Sequence, residues 1–80
     1  STKVKIWQAS EREVMRIISR EQLPENAVQF SEPCQAASES WIIENMVKDM
    51  KAAGKTYAVT REQSRLKGQL RDFLILWKVL

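Results

Sequence analysis

Over residues 60–80, apolar side chains recur every three or four positions, the spacing that lines up one face of an α-helix. They are Leu66, Leu70, Phe73, Leu74 and Trp77. Thr60, with Gln63 three residues later, matches a capping box, in which each side chain bonds a backbone N–H at a helix start. The pattern therefore predicts a helix that begins at Thr60 and continues to Leu80.

The last part of this segment is apolar nearly all round, because Ile75, Leu76 and Val79 lie off the main stripe. Such a segment is buried in the fold or covered by a second chain, since exposed apolar surface costs about 25 cal/mol per Å². It is too short to span a bilayer. A buried strand over residues 73–79 is the alternative, favoured by its Ile, Val and Trp content. No turn separates it from the preceding helix, so a helix is the preferred prediction.

Two further helices are predicted upstream. Ser10 and Glu13 form a second capping box, and this helix ends before Pro24, because proline disfavours helical geometry in the residue that precedes it. The next helix begins at Ser38 or Ser40, runs to about Ala53 and stops at Gly54, a residue that readily takes the left-handed conformation of a helix end. Short strands are expected at residues 3–8, 27–30 and 56–59.

This order of elements predicts an α+β fold that is mainly helical, with three helices packed on a small two- or three-stranded sheet. An all-α bundle, with the short strands as loops, is the alternative. The 80 residues are expected to form a single small domain. A chain of this size buries only about 60–65% of its unfolded surface, so dimerisation would add useful stability.

The composition argues against an enzyme and against a metal or other cofactor. The sequence has no histidine, which removes the commonest general base and metal ligand, and Cys34 is its single cysteine. One cysteine forms no internal disulfide and suits a reducing compartment. The first residues lack the long apolar core of a secretion signal. A cytoplasmic protein without membrane segments is the expectation.

The net charge of +3 comes entirely from the end of the sequence. Residues 1–60 hold eight Lys/Arg and eight Asp/Glu, whereas residues 61–80 hold five basic and two acidic side chains. A basic cluster on one element is an electrostatic footprint for phosphates or for an acidic partner. The alternative is the solvated outer face of an amphipathic helix, where Lys and Arg are common.

Two binding hypotheses follow. In the first and preferred one, the protein is a small DNA-binding module, acting alone or as a homodimer. Its predicted C-terminal helix, preceded by a helix over residues 40–53, loosely follows helix-turn-helix spacing. Its contact residues would be Arg61, Gln63, Arg65, Lys67 and Arg71. In the second, it is an adaptor or inhibitor that binds another protein, or a homodimer, through the apolar end and some of its three tryptophans. That interface would comprise Phe73, Ile75, Leu76, Trp77 and Val79.

Overall fold

The computed structural model describes residues 17–80 as a five-stranded mixed sheet with one α-helix. In chain order the elements are β1 (Ile17–Ile18), a 3-10 turn (Arg20–Gln22), β2 (Ala27–Gln29), β3 (Cys34–Gln35), α1 (Ala36–Ala52), β4 (Tyr57–Leu66) and β5 (Gln69–Val79). The predicted class is therefore wrong, in both its mainly helical form and its all-α alternative: sheet outweighs helix in the described part of the chain.

The largest departure lies in residues 60–80, which form a β-hairpin instead of a helix. β4 and β5 pair antiparallel along their whole length, and the last pair joins Leu66 to Gln69. The two turn residues, Lys67 and Gly68, have φ of 52° and 79°. Positive φ at both positions is the signature of a type I′ turn, whose twist matches that of the flanking strands.

The helical spacing misled because the base of the hairpin is buried on both faces. Buried residues are consecutive there, at Val59 and Thr60 on one strand and at 74–77 on the other. Strands buried on both faces lose the alternation of apolar and polar residues that marks a strand with one solvated face. The residues that suggested one helical face in fact lie on two strands joined by a two-residue turn. Leu66 belongs to β4, whereas Leu70, Phe73, Leu74 and Trp77 belong to β5.

The remaining strands flank the hairpin. β1 pairs in parallel with β4, and β2 and β3 both pair antiparallel with the free edge of β5. Between β2 and β3, the amides of Phe30 and Ser31 donate to the carbonyl of Leu76, and the Leu76 amide donates to Oγ of Ser31 at 2.9 Å. The serine hydroxyl thus completes the ladder where the strand is interrupted before Pro33, a residue with no N–H to offer.

Helix α1 covers one face of the sheet. Its buried residues Ile43, Val47 and Met50 follow helical spacing and pack on Val59, Leu74 and Leu76. It begins earlier than predicted, and Ser38 and Ser40 lie inside it. Its first turn is held by Glu39, whose Oε1 accepts the Gln35 amide at 2.9 Å.

The predicted end of α1 at Gly54 is confirmed. Gly54 has φ of 69°, its amide donates to the carbonyl of Lys51, and the Lys55 amide donates to that of Met50. This pair of bonds is a Schellman motif, which satisfies carbonyls that the helix leaves without partners.

Upstream, the predicted strand over residues 3–8 and the helix start at Ser10 lie outside the described residues. The predicted end of that helix is wrong, since Ile17–Ile18 is a strand that leads into the 3-10 turn. The strand expected at residues 27–30 is confirmed as β2, and the one expected at 56–59 is the first part of the longer β4.

Candidate nucleic-acid interface

The hairpin continues beyond the body of the protein as a two-stranded arm, defined here as residues 61–72. β1 pairs with β4 only as far as Thr60, and β3 meets β5 only at residues 73–74. Every residue from 63 to 71 is exposed. Six strand residues at about 3.4 Å each give the arm a reach of roughly 20 Å. The arm is joined to the rest of the sheet at one end, and no described strand pairs with either of its edges.

All five residues predicted to contact DNA lie on this arm, but on different sides. Side chains alternate between the faces of a strand, and residues paired across an antiparallel ladder share a face. Counting from Val59, which packs under α1, places Arg61, Gln63 and Arg65 on the face on the α1 side, called here the near face. Arg71 lies on the opposite, far face, and Lys67 lies at the tip.

Asp72 organises the root of the near face. Its carboxylate accepts a hydrogen bond from the guanidinium of Arg61, in an ion pair, and Gln63 is its cross-strand partner. Arg61, and to a smaller extent Gln63, hold the pKa of Asp72 below its ordinary value of 3.8. The carboxylate therefore stays ionised and neutralises Arg61.

Three cations further out have no acidic partner among the described residues: Arg65, Lys67 and Arg71. Arg65 makes a 3.4 Å contact to the carbonyl of Gly68, and Arg71 donates to Oε1 of Gln69 at 2.7 Å. Both acceptors are neutral, so the positive charge remains. The outer half of the arm is consequently a concentrated, solvent-facing positive surface.

The root of the far face is fixed by Arg20, from the 3-10 turn. Its guanidinium lies 5.3 Å from the centre of the Trp77 ring, and its Nη1 is 2.7 Å from Oε1 of Glu62. A cation over an indole face is attracted by the ring quadrupole. The same arginine neutralises Glu62, the acidic side chain that the arm carries on this face.

The residues predicted to form a protein interface belong to β5. Leu76 is fully buried under α1, Ile75 and Trp77 are buried on the other side of the sheet, and Phe73 and Val79 are half-buried. They serve the packing of the sheet. The large exposed aromatic side chains lie elsewhere. Trp41, one of the three tryptophans considered from the sequence, is 61% exposed on α1, and Phe30, which sequence reasoning missed, is 53% exposed.

Other chemistry is sparse in the described part of the chain. Cys34 is a free thiol whose pKa is raised by burial and, to a smaller extent, by the charge of Glu39. A raised pKa keeps the thiol protonated and unreactive. Residues 17–80 contain no group of three or more His, Cys, Asp or Glu side chains placed to hold a metal ion. Nor do they contain a helix long and apolar enough to cross a membrane.

Comparison with known proteins gives no match, whether to a family model, a curated protein or a solved structure. The geometry and charge of the arm are therefore the features of the molecule that bear on its function.

Proposed function

We propose that this protein binds nucleic acid, and specifically DNA, through the arm. The observation that carries the proposal is an exposed two-stranded ribbon bearing Arg65, Lys67 and Arg71, none of them paired with a described acidic residue. Side chains of this type supply most of the affinity for a phosphate backbone. Ribbons of two strands are also an established means of entering a DNA groove.

The distribution of charge favours approach by the arm. The arm carries four Lys/Arg and two Asp/Glu, whereas the rest of the sequence carries nine Lys/Arg and eight Asp/Glu. Two of the three net positive charges therefore lie on the arm. A local excess of positive charge attracts a polyanion and steers its encounter towards the arm.

The number of arm cations without a described acidic partner determines how steeply salt should weaken DNA binding. Each phosphate neutralised on duplex DNA contributes about 0.9 to the slope of log K against log salt concentration, so three contacts give a slope of roughly −3. Contacts of this kind support non-specific dissociation constants of about 10⁻⁴–10⁻⁶ M at physiological salt. The cellular location proposed for the protein is the cytoplasm, a reducing compartment in which Cys34 would remain a free thiol.

The test is fluorescence anisotropy of a labelled random-sequence duplex, titrated with protein at several salt concentrations. The triple variant Arg65→Ala, Lys67→Ala, Arg71→Ala should lose binding at every salt concentration. Its matched control replaces Lys48, Lys51 and Lys55 with alanine, which removes the same charge from exposed positions in the last part of α1 and just after it. That control should bind nearly as well as the parent protein. Equal losses in both variants, or no binding by the parent at low salt, would refute the role of the arm.

A further inference from the structure

Building on the proposed function, we infer that the arm enters a groove of the DNA duplex tip first and bridges the two phosphate backbones on either side of it. Arg65 contacts the phosphates of one strand, Arg71 contacts those of the other, and Lys67 lies between them. The ligand is thus a double helix with two rows of phosphates within reach of one ribbon. These contacts are independent of base sequence.

The cations of the arm that lack a described acidic partner are distributed over both of its faces. Arg65 lies on the near face, opposite Leu70, and Lys67 is in the turn itself. Arg71 lies on the far face, opposite Ser64. A ribbon lying flat on one row of phosphates would use the cations of a single face and leave the other arginine in solvent. An arginine on each face instead suits a ribbon that stands between two rows.

The two carboxylates of the arm show the same division between faces. Asp72 lies on the near face and Glu62 on the far face, both at the root. Arg61 pairs with Asp72, and Arg20 pairs with Glu62 at 2.7 Å. Each face therefore has a neutralised acidic residue at the root and, further out, an arginine with no described acidic partner. The part of the arm that attracts phosphates from both sides is its outer half.

The positions of the two arginines along the arm agree with the depth of the major groove. The last pair of the hairpin is Leu66 with Gln69, and Arg65 and Arg71 lie one and two pairs behind it. At about 3.4 Å for each pair and for the turn, their backbone positions are roughly 6–10 Å behind the tip. The major groove of B-DNA is about 8.5 Å deep. With the turn at the floor of the groove, both arginines are level with the backbones at its mouth.

The thickness of the arm distinguishes between the grooves. A strand layer with its side chains occupies about 10 Å, the distance at which two sheets pack. The major groove of B-DNA is about 12 Å wide and the minor groove about 6 Å, so the arm fits only the former. The major groove of A-form RNA is deep and narrow, and a single strand offers one row of phosphates. A DNA duplex is therefore the ligand that can contact both faces.

The first test measures the slope of log K against log salt concentration for the random-sequence duplex. Arg65→Gln and Arg71→Gln should each make the slope less steep by about 0.9, because each removes one phosphate contact, and the double variant by about 1.8. Lys51→Gln, which removes one charge from an exposed position on α1, and Ser64→Ala, an uncharged change on the far face, are the controls. Both should keep the parental slope. All four side chains are exposed, so the urea midpoints of the variants should match that of the parent.

The second test fills the major groove without altering the phosphates. The probe is a duplex of the same sequence whose cytosines carry glucosylated hydroxymethyl groups, which project from C5 into the major groove. The parent protein should bind it with a slope of roughly −1.8, because only the tip and one face of the arm can then reach a row of phosphates. The control is the unmodified duplex with its minor groove occupied by an uncharged ligand, and it should keep the parental slope.

The outcomes separate this inference from the proposal beneath it. If the parent binds but one of the two arginine variants keeps the parental slope, the arm lies along one strand, and charge-driven binding by the arm stands. A parental slope on the glucosylated duplex would likewise overturn insertion into the major groove alone. So would a single strand that is bound as tightly as the duplex. If the parent binds no duplex at low salt, both the inference and the proposed function are wrong.

Discussion

The indole N–H of Trp77 donates a hydrogen bond of 2.8 Å to Oγ1 of Thr60 on the neighbouring strand. Thr60 is fully buried and Trp77 is 7% exposed, so neither group has water as an alternative partner. The bond locks the indole across the sheet, where Arg20 stacks on it. This contact joins the two strands at the point where the arm leaves the body.

Thr60→Val should lower the free energy of unfolding by about 1–3 kcal/mol, because it leaves the buried indole N–H without an acceptor. Urea denaturation followed by circular dichroism measures the change. Thr60→Ser, which keeps the hydroxyl, should recover part of the loss. In the Trp77→Phe background the cost of Thr60→Val should shrink, and an unchanged cost would show that the hydrogen bond contributes nothing.

The two described tryptophans should respond very differently to truncation. Trp77→Ala removes a buried ring and is expected to cost about 3–5 kcal/mol, enough to unfold much of a small domain. Trp41→Ala, on the exposed side of α1, should stay within about 0.5 kcal/mol of the parent protein. The unfolding midpoint in urea gives both values. Similar midpoints for the two variants would contradict the packing of the sheet described above.

Ser31→Ala should destabilise the junction of β2 and β3 by about 1–3 kcal/mol, since the buried Leu76 amide would lose its acceptor. Hydrogen exchange of the Leu76 amide should accelerate at the same time. Ser38→Ala, an exposed serine within α1, is the matched control and should be neutral or slightly stabilising, because alanine is the better helix former. Unaltered protection of the Leu76 amide in Ser31→Ala would rule out the serine's part in the ladder.

The carboxyl of Asp72 should titrate with a pKa below 3.8, the ordinary value, because the guanidinium of Arg61 donates to its ionised form. A pKa lowered by folding means that this group stabilises the fold above the unfolded pKa, and that its contribution is lost as the pH falls through the folded pKa. NMR titration of the Asp72 side chain measures the shift. Arg61→Ala should move the pKa back towards 3.8, whereas Lys48→Ala should leave it unchanged.

Local signals predicted the parts of the fold that are fixed locally. The end of α1 was predictable because Gly54 supplies the left-handed residue that a Schellman motif requires. The hairpin turn was not, because Lys67 carries a Cβ into positive φ, where Asn or Gly is the usual signal. With the turn missed, burial on both faces of the hairpin base removed the remaining sign of strand structure.

The candidate site was predicted in part, for a reason that depends on spacing. Arg61 and Arg65 are four residues apart, which places them on one face of either a helix or a strand. Gln63 lies between them and joins that face only in a strand. The cluster of positive charge was therefore predictable from the sequence. That one face of the arm carries Arg61, Gln63 and Arg65, with Asp72 paired to Arg61, follows only from the register of the hairpin.

The pairing of β5 with three of the other four described strands has a consequence for synthesis. While the chain emerges from the ribosome, β2, β3 and β4 all precede the strand that they need, and the apolar side of α1 lacks Leu74 and Leu76, on which it packs. Stable structure across this sheet therefore waits until translation has passed Val79. Until then the unpaired strands and uncovered apolar surface are the kind of nascent segment that chaperones shield from aggregation.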